Sequence, residues 1–404
     1  MIPFSPPKIT DDVVNAVTEV LRSGWITTGP KTKLLEKKLA EYCGVPNVLC
    51  LNSATAGLEI MLRWFGVTKG DEVILPAYTY SATANVIVHC GAKPVFVDVN
   101  RSDFNISIEK IEKAITSRTK AIMPVDFAGL PCDYDAIHKL VNRKDIRKKF
   151  KPNSPEQKKL KRIVVLSDSA HSIGAVYKEK KTGAIADSSV FSFHAVKNLT
   201  TAEGGGVCLN LPAPFDNERI YKDLCIKSLH GQNKDALAKT QKGAWRYDII
   251  EAGYKCNMTD ISAVMGLIEL EKYDDETLRK RKHICDTYTT ALSKYAWAET
   301  PVLADANRMS SYHLYPLRIK NISEKQRSEI IAGIFDKNVS VNVHFMPVPM
   351  MSFYKKLGYK IKNYPAAYDN YSREISLPVF FDLTDAQINT VINAVISSVQ
   401  EVIG

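Results

Sequence analysis

The chain has 404 residues, 45% hydrophobic and 24% charged, with a formal net charge of +10. That is a globular composition, long enough for two or three domains and for a core that needs neither disulfide nor metal to hold it. No uncharged apolar run reaches roughly 18 residues, which excludes a membrane span, and the start Met1-Ile2-Pro3-Phe4 lacks the charged and apolar regions of a signal peptide.

The first half alternates short apolar runs with amphipathic segments. Strands are expected at Val48–Asn52, Glu72–Leu75, Pro94–Val99, Ala121–Val125, Ile163–Leu166 and Ser189–Phe193. Helical patterns lie between them, near Ala56–Trp64, Ala82–His89, Ile108–Ala114 and Tyr134–Leu140. Strands rich in Val, Ile and Leu suit burial on both faces, and strict alternation with helices predicts an α/β fold with a mainly parallel central sheet flanked by helices.

From Arg143 to Arg162 ten basic residues face only Asp145 and Glu156, so this segment carries most of the excess charge. Such a run can bind nucleic acid or an acidic surface. No aromatic stacking platform is interleaved with it, so a solvated insertion around Lys151-Pro152-Asn153-Ser154-Pro155 is expected, with no nucleic-acid partner.

The character changes near residue 257. Thr259-Asp260 reads as a capping signal for a helix through Glu271, and a second helix is expected over 276–293. Strand-like runs follow at 312–318 and 339–345, then a final helix over Asp385–Val402. The expected division is a large domain over 1–257, carrying the basic insertion, and a smaller C-terminal α/β domain over 258–404. The eight cysteines form no CxxC pair and no metal-ligand spacing. They are expected to be reduced thiols, mostly buried, in a cytoplasmic protein without a metal site.

The chemistry concentrates between residues 163 and 206. Asp168 follows the strand that begins at Ile163, and ligands of open α/β sheets bind at that carboxyl end. A carboxylate there suits a buried site only if it meets a cation. Lys197 is the only Lys or Arg between Lys181 and Arg219, and it precedes a turn rich in Thr and Gly. Desolvation at a strand end lowers an amine's pKa and makes it a nucleophile. From position alone, a surface lysine in a loop is the more ordinary reading.

The pattern Asp168-Ser-Ala-His171, then Ser192-Phe-His-Ala-Val-Lys197-Asn-Leu-Thr-Thr-Ala-Glu-Gly-Gly, resembles the DegT/DnrJ/EryC1/StrS sugar aminotransferases, which are fold-type I pyridoxal-phosphate enzymes. The likeness extends through Gly24-Trp25-Ile26-Thr27-Thr28-Gly29-Pro30, Asn52-Ser53-Ala54-Thr55-Ala56-Gly57, Pro76-Ala-Tyr-Thr79-Tyr80, Gly253-Tyr-Lys-Cys-Asn257 and Ser376-Leu-Pro378.

The resemblance implies that Lys197 forms the Schiff base with pyridoxal 5'-phosphate and later moves a proton, and that Asp168 pairs with the pyridine nitrogen. It implies Tyr80 stacked on the ring, Ala170 below it and His171 near the ring hydroxyl. Thr55, the backbone amide of Ala56 and the hydroxyl of Ser192 would bind the phosphate, as helix N-termini do. Asn257 would reach the phosphate of the neighbouring subunit, making a homodimer with shared sites; a local cap before the helix at Thr259 is the plain alternative. Trp25, Thr27, His230 and His344 are candidate substrate contacts, the histidines being nearly as well explained as core or surface residues.

The implied reaction takes an amino group from L-glutamate, leaving 2-oxoglutarate, through the pyridoxamine form of the cofactor to a keto sugar on a nucleotide diphosphate. Cyclitol or amino-hydroxybenzoate acceptors, a non-catalytic regulator and a lyase with the same cofactor are the alternatives. Asp126 stands where many members have His, and retention of Lys197 disfavours the dehydratases that carry His there.

Overall fold

The computed structural model describes residues 1–234 and 246–404. Its first nine strands are β1 (Asn47–Leu51), β2 (Glu72–Pro76), β3 (Lys93–Val97), β4 (Thr119–Ile122), β5 (Val164–Asp168), β6 (Val176–Tyr177), β7 (Lys180–Lys181), β8 (Ser188–Ser192) and β9 (Gly205–Leu209). Seven of them form the main sheet, in the order β1-β9-β8-β5-β4-β2-β3. From β8 to β3 every pairing is parallel, and β9 alone runs antiparallel, between β1 and β8. Five of the six expected strands are present within a residue or two, and β4 stops at Ile122, short of the expected end at Val125. β2, β4, β5, β8 and β9 are buried along their whole length, because helices cover both faces of the sheet.

β9 was not expected, since its opening Gly204-Gly205-Gly206 reads as a turn. The glycines are there for closeness. Helix α3 (Ala54–Trp64) starts against β9, where a Cβ on Gly205 would lie 2.4 Å from the Ala54 nitrogen and 2.5 Å from the Ser53 carbonyl carbon. One turn on, a Cβ on Gly57 would lie 2.8 Å from the methyls of Val190 and Val207. Both positions let the α3 N-terminus seat against the carboxyl end of the sheet.

Much of the rest of the chain builds a second core, while Val348, Tyr354 and Ala367 pack back into the core of the main sheet. Strands β10 (Ala298–Glu299), β12 (Tyr315–Ile319) and β13 (Glu374–Leu377) form an antiparallel sheet, while β11 (Arg308–Met309) pairs with β6. Ile284, Tyr288, Leu317, Ile330 and Val395 meet in this core, and Ile2 joins them from the N-terminus. The final helix runs Asp385–Ile403 and starts with a capping box made by Thr384 and Gln387. The expected helix over 276–293 is a π turn, Tyr273–Leu278, running into an α-helix at Arg279–Leu292. The helix Asp260–Glu271 packs on α1 (Asp11–Ser23) and α2 (Pro30–Cys43), where Ala263 shares a cluster with Leu35 and Leu39.

The expected strand over 339–345 is not a regular strand. Only isolated bridges form, Ile2 with Val339 and Asn342 with Ser376. The backbone N–H groups of Val343 and His344 donate to the side chains of Asn342 and Glu374 instead of to a neighbouring strand.

The basic insertion folds as two short helices, Lys144–Lys149 and Pro155–Leu160. Ser154 Oγ and Gln157 Nε2 each donate to the Phe65 carbonyl at 3.0 Å, and Asn153 Nδ2 donates to the Asp71 carboxylate. Asp71 immediately precedes β2, so the insertion is fastened at the amino ends of the strands. All eight cysteines are free thiols, seven of them buried, and no helix among the described residues is long and apolar enough to cross a membrane.

Gly205→Ala forces backbone to move at the α3 N-terminus. It is expected to cost about 1–3 kcal/mol, the usual range for overpacking, read as a lowered midpoint in urea unfolding. An unchanged midpoint would mean that the helix start has slack.

Candidate active site

The carboxyl ends of the parallel strands open into a cavity of about 330 Å³. Asp168 ends β5, Ser192 ends β8, Thr79 and Tyr80 follow β2, and Ser53 follows β1; all line it, with Lys197 between them. Lys197 sits on the loop that joins β8 to β9. That loop is tied by Lys197 N–H to the His194 carbonyl (2.9 Å), Thr201 N–H to the Phe193 carbonyl (2.9 Å) and Phe193 N–H to the Gly204 carbonyl (2.9 Å).

Burial lowers the pKa of Lys197 to about 8, and the charge of Asp168 opposes that fall. Among the described residues the amine forms no salt bridge. It stands in the cavity as a desolvated amine without an ion pair, and not as the surface lysine that position alone made the more ordinary reading.

Asp168 is 6% exposed. Its carboxylate accepts from Thr83 Oγ1 at 2.7 Å and from the Ala170 N–H at 3.2 Å. Thr83 spends its one hydroxyl proton on Asp168, so the 2.8 Å contact with Thr79 Oγ1 makes Thr79 the donor to Thr83. Both threonines are buried on the first turn of α4 (Ser81–His89) and just before it. Burial raises the Asp168 pKa, and these donors, with Lys197, act against the rise. No salt bridge neutralises it among the described residues, which leaves a carboxylate suited to a cationic ring nitrogen.

The N-terminus of α3 faces the same cavity through Ser53, Ala54 and Thr55. Ser53 Oγ caps the helix by accepting from the Ala56 N–H at 3.1 Å. The amide expected to serve a phosphate at Ala56 is thus already engaged, and Ala56 does not line the cavity. The Ala54 and Thr55 amides remain in the first turn, where no intrahelical acceptor exists. With the Ser192 hydroxyl lining the same cavity, they are placed where an anion could be received.

Tyr80 is 60% exposed, with its ring 5.8 Å from that of Phe345. Ala170 and His171 line the cavity as well. The His171 ring is buried, 4.3 Å from the ring of His313, and burial with the Lys197 charge pushes its pKa well down, so it is a neutral imidazole. His344 is also in the wall.

Other expected residues lie away from this cavity within the subunit. Asn257 Nδ2 donates to Thr28 Oγ1 at 2.6 Å, and Thr28 Oγ1 donates to the Met258 carbonyl. Trp25 Nε1 donates to the Thr28 carbonyl at 3.2 Å, while the Thr27 carbonyl accepts from the Asp260 N–H at 3.1 Å. The loop holding Trp25 and Thr27 is thus fastened to the segment 257–260. Asp260 adds to this by accepting from the N–H groups of Gly29, Lys31 and Thr32, where its negative charge suits the start of α2. His230 is exposed, with a positive φ of 59°, and its N–H donates to the Tyr254 carbonyl.

Asp126 is fully buried beneath the site. It accepts from Cys132 N–H, Tyr134 OH, Ser169 Oγ and Ser172 Oγ, so it shapes the loop after Asp168 and does not face the cavity. Sequence reasoning missed Ser53, Thr79, Thr83, His313 and Phe345. Only Ser53, three residues before an amide it caps, carried a local signal.

A lone amine, a buried carboxylate without an ion-pair partner, a helix N-terminus and an aromatic cover fit pyridoxal phosphate at its carbonyl, ring nitrogen, phosphate and ring face. A sequence model of the DegT/DnrJ/EryC1/StrS aminotransferase family matches residues 7–147 and 156–396, its break falling inside the basic insertion. The chain superposes on the putative sugar aminotransferase Spr1654 from Streptococcus pneumoniae in its PMP form with a TM-score of 0.96 at 45% identity, covering 100% of both chains. The PLP form of that protein gives 0.95 at 43%. PseC of Helicobacter pylori, an aminotransferase involved in the biosynthesis of pseudoaminic acid, gives 0.86 at 30% identity over 99% of each chain. The spore coat polysaccharide biosynthesis protein SpsC of Bacillus subtilis is 37% identical, over 98% of this chain and 96% of its own. With its site geometry and these likenesses in agreement over nearly its full length, the chain belongs to the DegT/DnrJ/EryC1/StrS aminotransferase family.

Proposed function

We propose that this chain moves an amino group from L-glutamate to the ketone of a hexose carried on a nucleotide diphosphate, with pyridoxal 5'-phosphate as cofactor. The product would be an amino sugar for a surface polysaccharide or related glycoconjugate made in the cytoplasm. The observation that carries the reading is the placing of Lys197 and Asp168 in one cavity beside the N-terminus of α3. The names of SpsC, a spore coat polysaccharide biosynthesis protein, and of PseC, an aminotransferase of pseudoaminic acid biosynthesis, support the acceptor class.

When bound, the cofactor supplies an electron sink for the carbon that loses or gains a proton. The protein's own groups do the rest. Lys197 Nζ takes and returns that proton; an amine with a pKa of about 8 is populated in both forms near neutral pH, as a group that must act as acid and base requires. Asp168, its carboxylate fixed by Thr83 and Ala170, would hold the proton on the ring nitrogen. The amides of Ala54 and Thr55 and the hydroxyl of Ser192 would receive the phosphate. Tyr80, Ala170 and neutral His171 would hold the ring.

Asn257, Trp25, Thr27 and His230 complete the site of a neighbouring subunit. Their distance from the cavity of their own subunit supports this, and it makes a homodimer the working unit.

Purified protein with pyridoxal phosphate should show the absorption band of the lysine-bound cofactor. L-Glutamate should convert it to the pyridoxamine form, and a nucleotide-linked keto hexose should restore it. Lys197→Ala should lack the band. A band that no amino donor changes would sink the aminotransferase reading for this chain.

In the apoprotein, acetylation of Lys197 followed by mass spectrometry should rise with pH through a midpoint near 8, where the amine loses its proton. Exposed lysines follow a midpoint nearer about 10.4. Asp168→Asn removes the charge that favours the protonated amine and should move the Lys197 midpoint down. A shift upward would show that the two groups are not coupled as described.

A further inference from the structure

His344 is gripped on every side but one. Its N–H donates to Glu374 Oε2 at 3.0 Å, and its carbonyl accepts from Tyr78 OH at 2.5 Å. Its Nδ1 lies 2.9 Å from Ser376 Oγ, and Ser376 Oγ is hydrogen-bonded in turn to Glu374 Oε1. The ring stacks on Phe4, with centroids 5.4 Å apart. Glu374 and Ser376 are both fully buried on β13 and touch nothing in the cavity, whereas His344 lines it. The one polar atom of His344 left without an assignment is Nε2.

We propose that Glu374 and Ser376 are positioning residues that hold His344 as a neutral hydrogen-bonding group for a hydroxyl of the acceptor sugar, an inference that rests on the sugar-acceptor reading above. The ring is neutral because burial and the facing Lys197 charge bring its pKa down to about 3. Protons along the relay can be ordered in two ways. With Glu374 ionised, Ser376 donates to it and accepts from His344 Nδ1–H, so Nε2 offers a lone pair. With Glu374 protonated, Ser376 accepts from the carboxyl group and donates to Nδ1, so Nε2 carries a hydrogen.

Glu374 has Arg318 and Arg327 in its field, and burial pushes its pKa up to about 8, so both orders are accessible near neutral pH. A hydroxyl donates and accepts, and therefore satisfies Nε2 in either order. A carboxylate accepts only, and a neutral imidazole gives it no charge to pair with. A carboxylate is therefore matched in only one of the two orders, and the relay favours a hydroxylated acceptor over the carboxylates of the amino donor.

The test uses the holoenzyme and reads the two half-reactions separately by absorbance. The probe is whichever nucleotide-diphosphate keto hexose the wild type consumes fastest, together with its analogue lacking the hydroxyl beside the ketone. Ser376→Ala is expected to lower kcat/KM for the keto sugar about tenfold, the scale of one well-placed hydrogen bond, while the L-glutamate step stays within about twofold. The deoxy analogue should cost the wild type a similar factor and cost Ser376→Ala nothing further. Glu374→Gln can still donate to Ser376 and accept from the His344 N–H, so it should retain activity toward the sugar. If Ser376→Ala fails to hold the cofactor band, Ser376→Cys serves, being near in size and weak in hydrogen bonding. Equal loss in both half-reactions, or losses from variant and analogue that multiply, would overturn the proposal. A wild type that completes the glutamate step yet consumes no keto sugar would overturn the acceptor reading, and this inference with it.

Discussion

Asp168 is a carboxylate taken almost entirely out of water and given only two neutral donors, Thr83 Oγ1 and the Ala170 N–H. Ionised groups in such surroundings carry a desolvation penalty of several kcal/mol unless a cation offsets it. The fold does not remove this tension. It sets the carboxylate across a cavity from an amine that is itself desolvated, so that each charge offsets only part of the other's burial cost and the remainder is left for a third partner. Thr79, Thr83 and the start of α4 hold the carboxylate; the tied loop 193–204 holds the amine. A protonated ring nitrogen and a carbonyl are what relieve the two at once, and a cofactor bearing both is bound most tightly in the orientation chemistry needs.

That arrangement depends on the sheet having two unlike ends. At the carboxyl ends β5 stops on Asp168 and β8 on Ser192, with Lys197 on the loop that follows β8, and Gly57 and Gly205 let α3 bring its N-terminus down to meet them. At the amino ends there is no cavity chemistry to preserve. The basic insertion is fastened there by neutral hydrogen bonds to Phe65 and by Asn153 to Asp71, and the family match breaks inside it. A single sheet can thus keep one face of its topology fixed while the other accumulates length.

The parallel sheet was legible because strands buried on both faces have almost no choice of residue, and Asp168 and Lys197 were legible as a pair through the motif resemblance, position alone having favoured a surface lysine. What escaped is non-local or driven by space. β9 was hidden by glycines that are required for close approach to Ser53 and Ala54, in spite of their poor strand propensity. Thr83 reaches Asp168 across 85 residues, and Glu374 reaches His344 across 30, so neither pair has a spacing to recognise. The run 339–345 has strand-like residues, yet its N–H groups at Val343 and His344 go to side chains. Trp25, Thr27, Asn257 and His230 could be named from resemblance, but one subunit does not bring them to its own cavity.

Lys197 is carried on a reversal between two hydrogen-bonded neighbours, β8 and β9, with Ser192 opposite Gly205 where the ladder ends. In a sheet of parallel strands most connections are long crossovers whose length drifts freely. Here both ends of the connection are locked in register, so the segment 193–204 cannot gain or lose a residue without sliding the amine along the cavity or opening the ladder. Length itself is under constraint at Lys197, independently of which residues fill it. The insertion at 143–162 obeys the opposite rule, and the contrast marks where this scaffold accepts extra chain and where it does not.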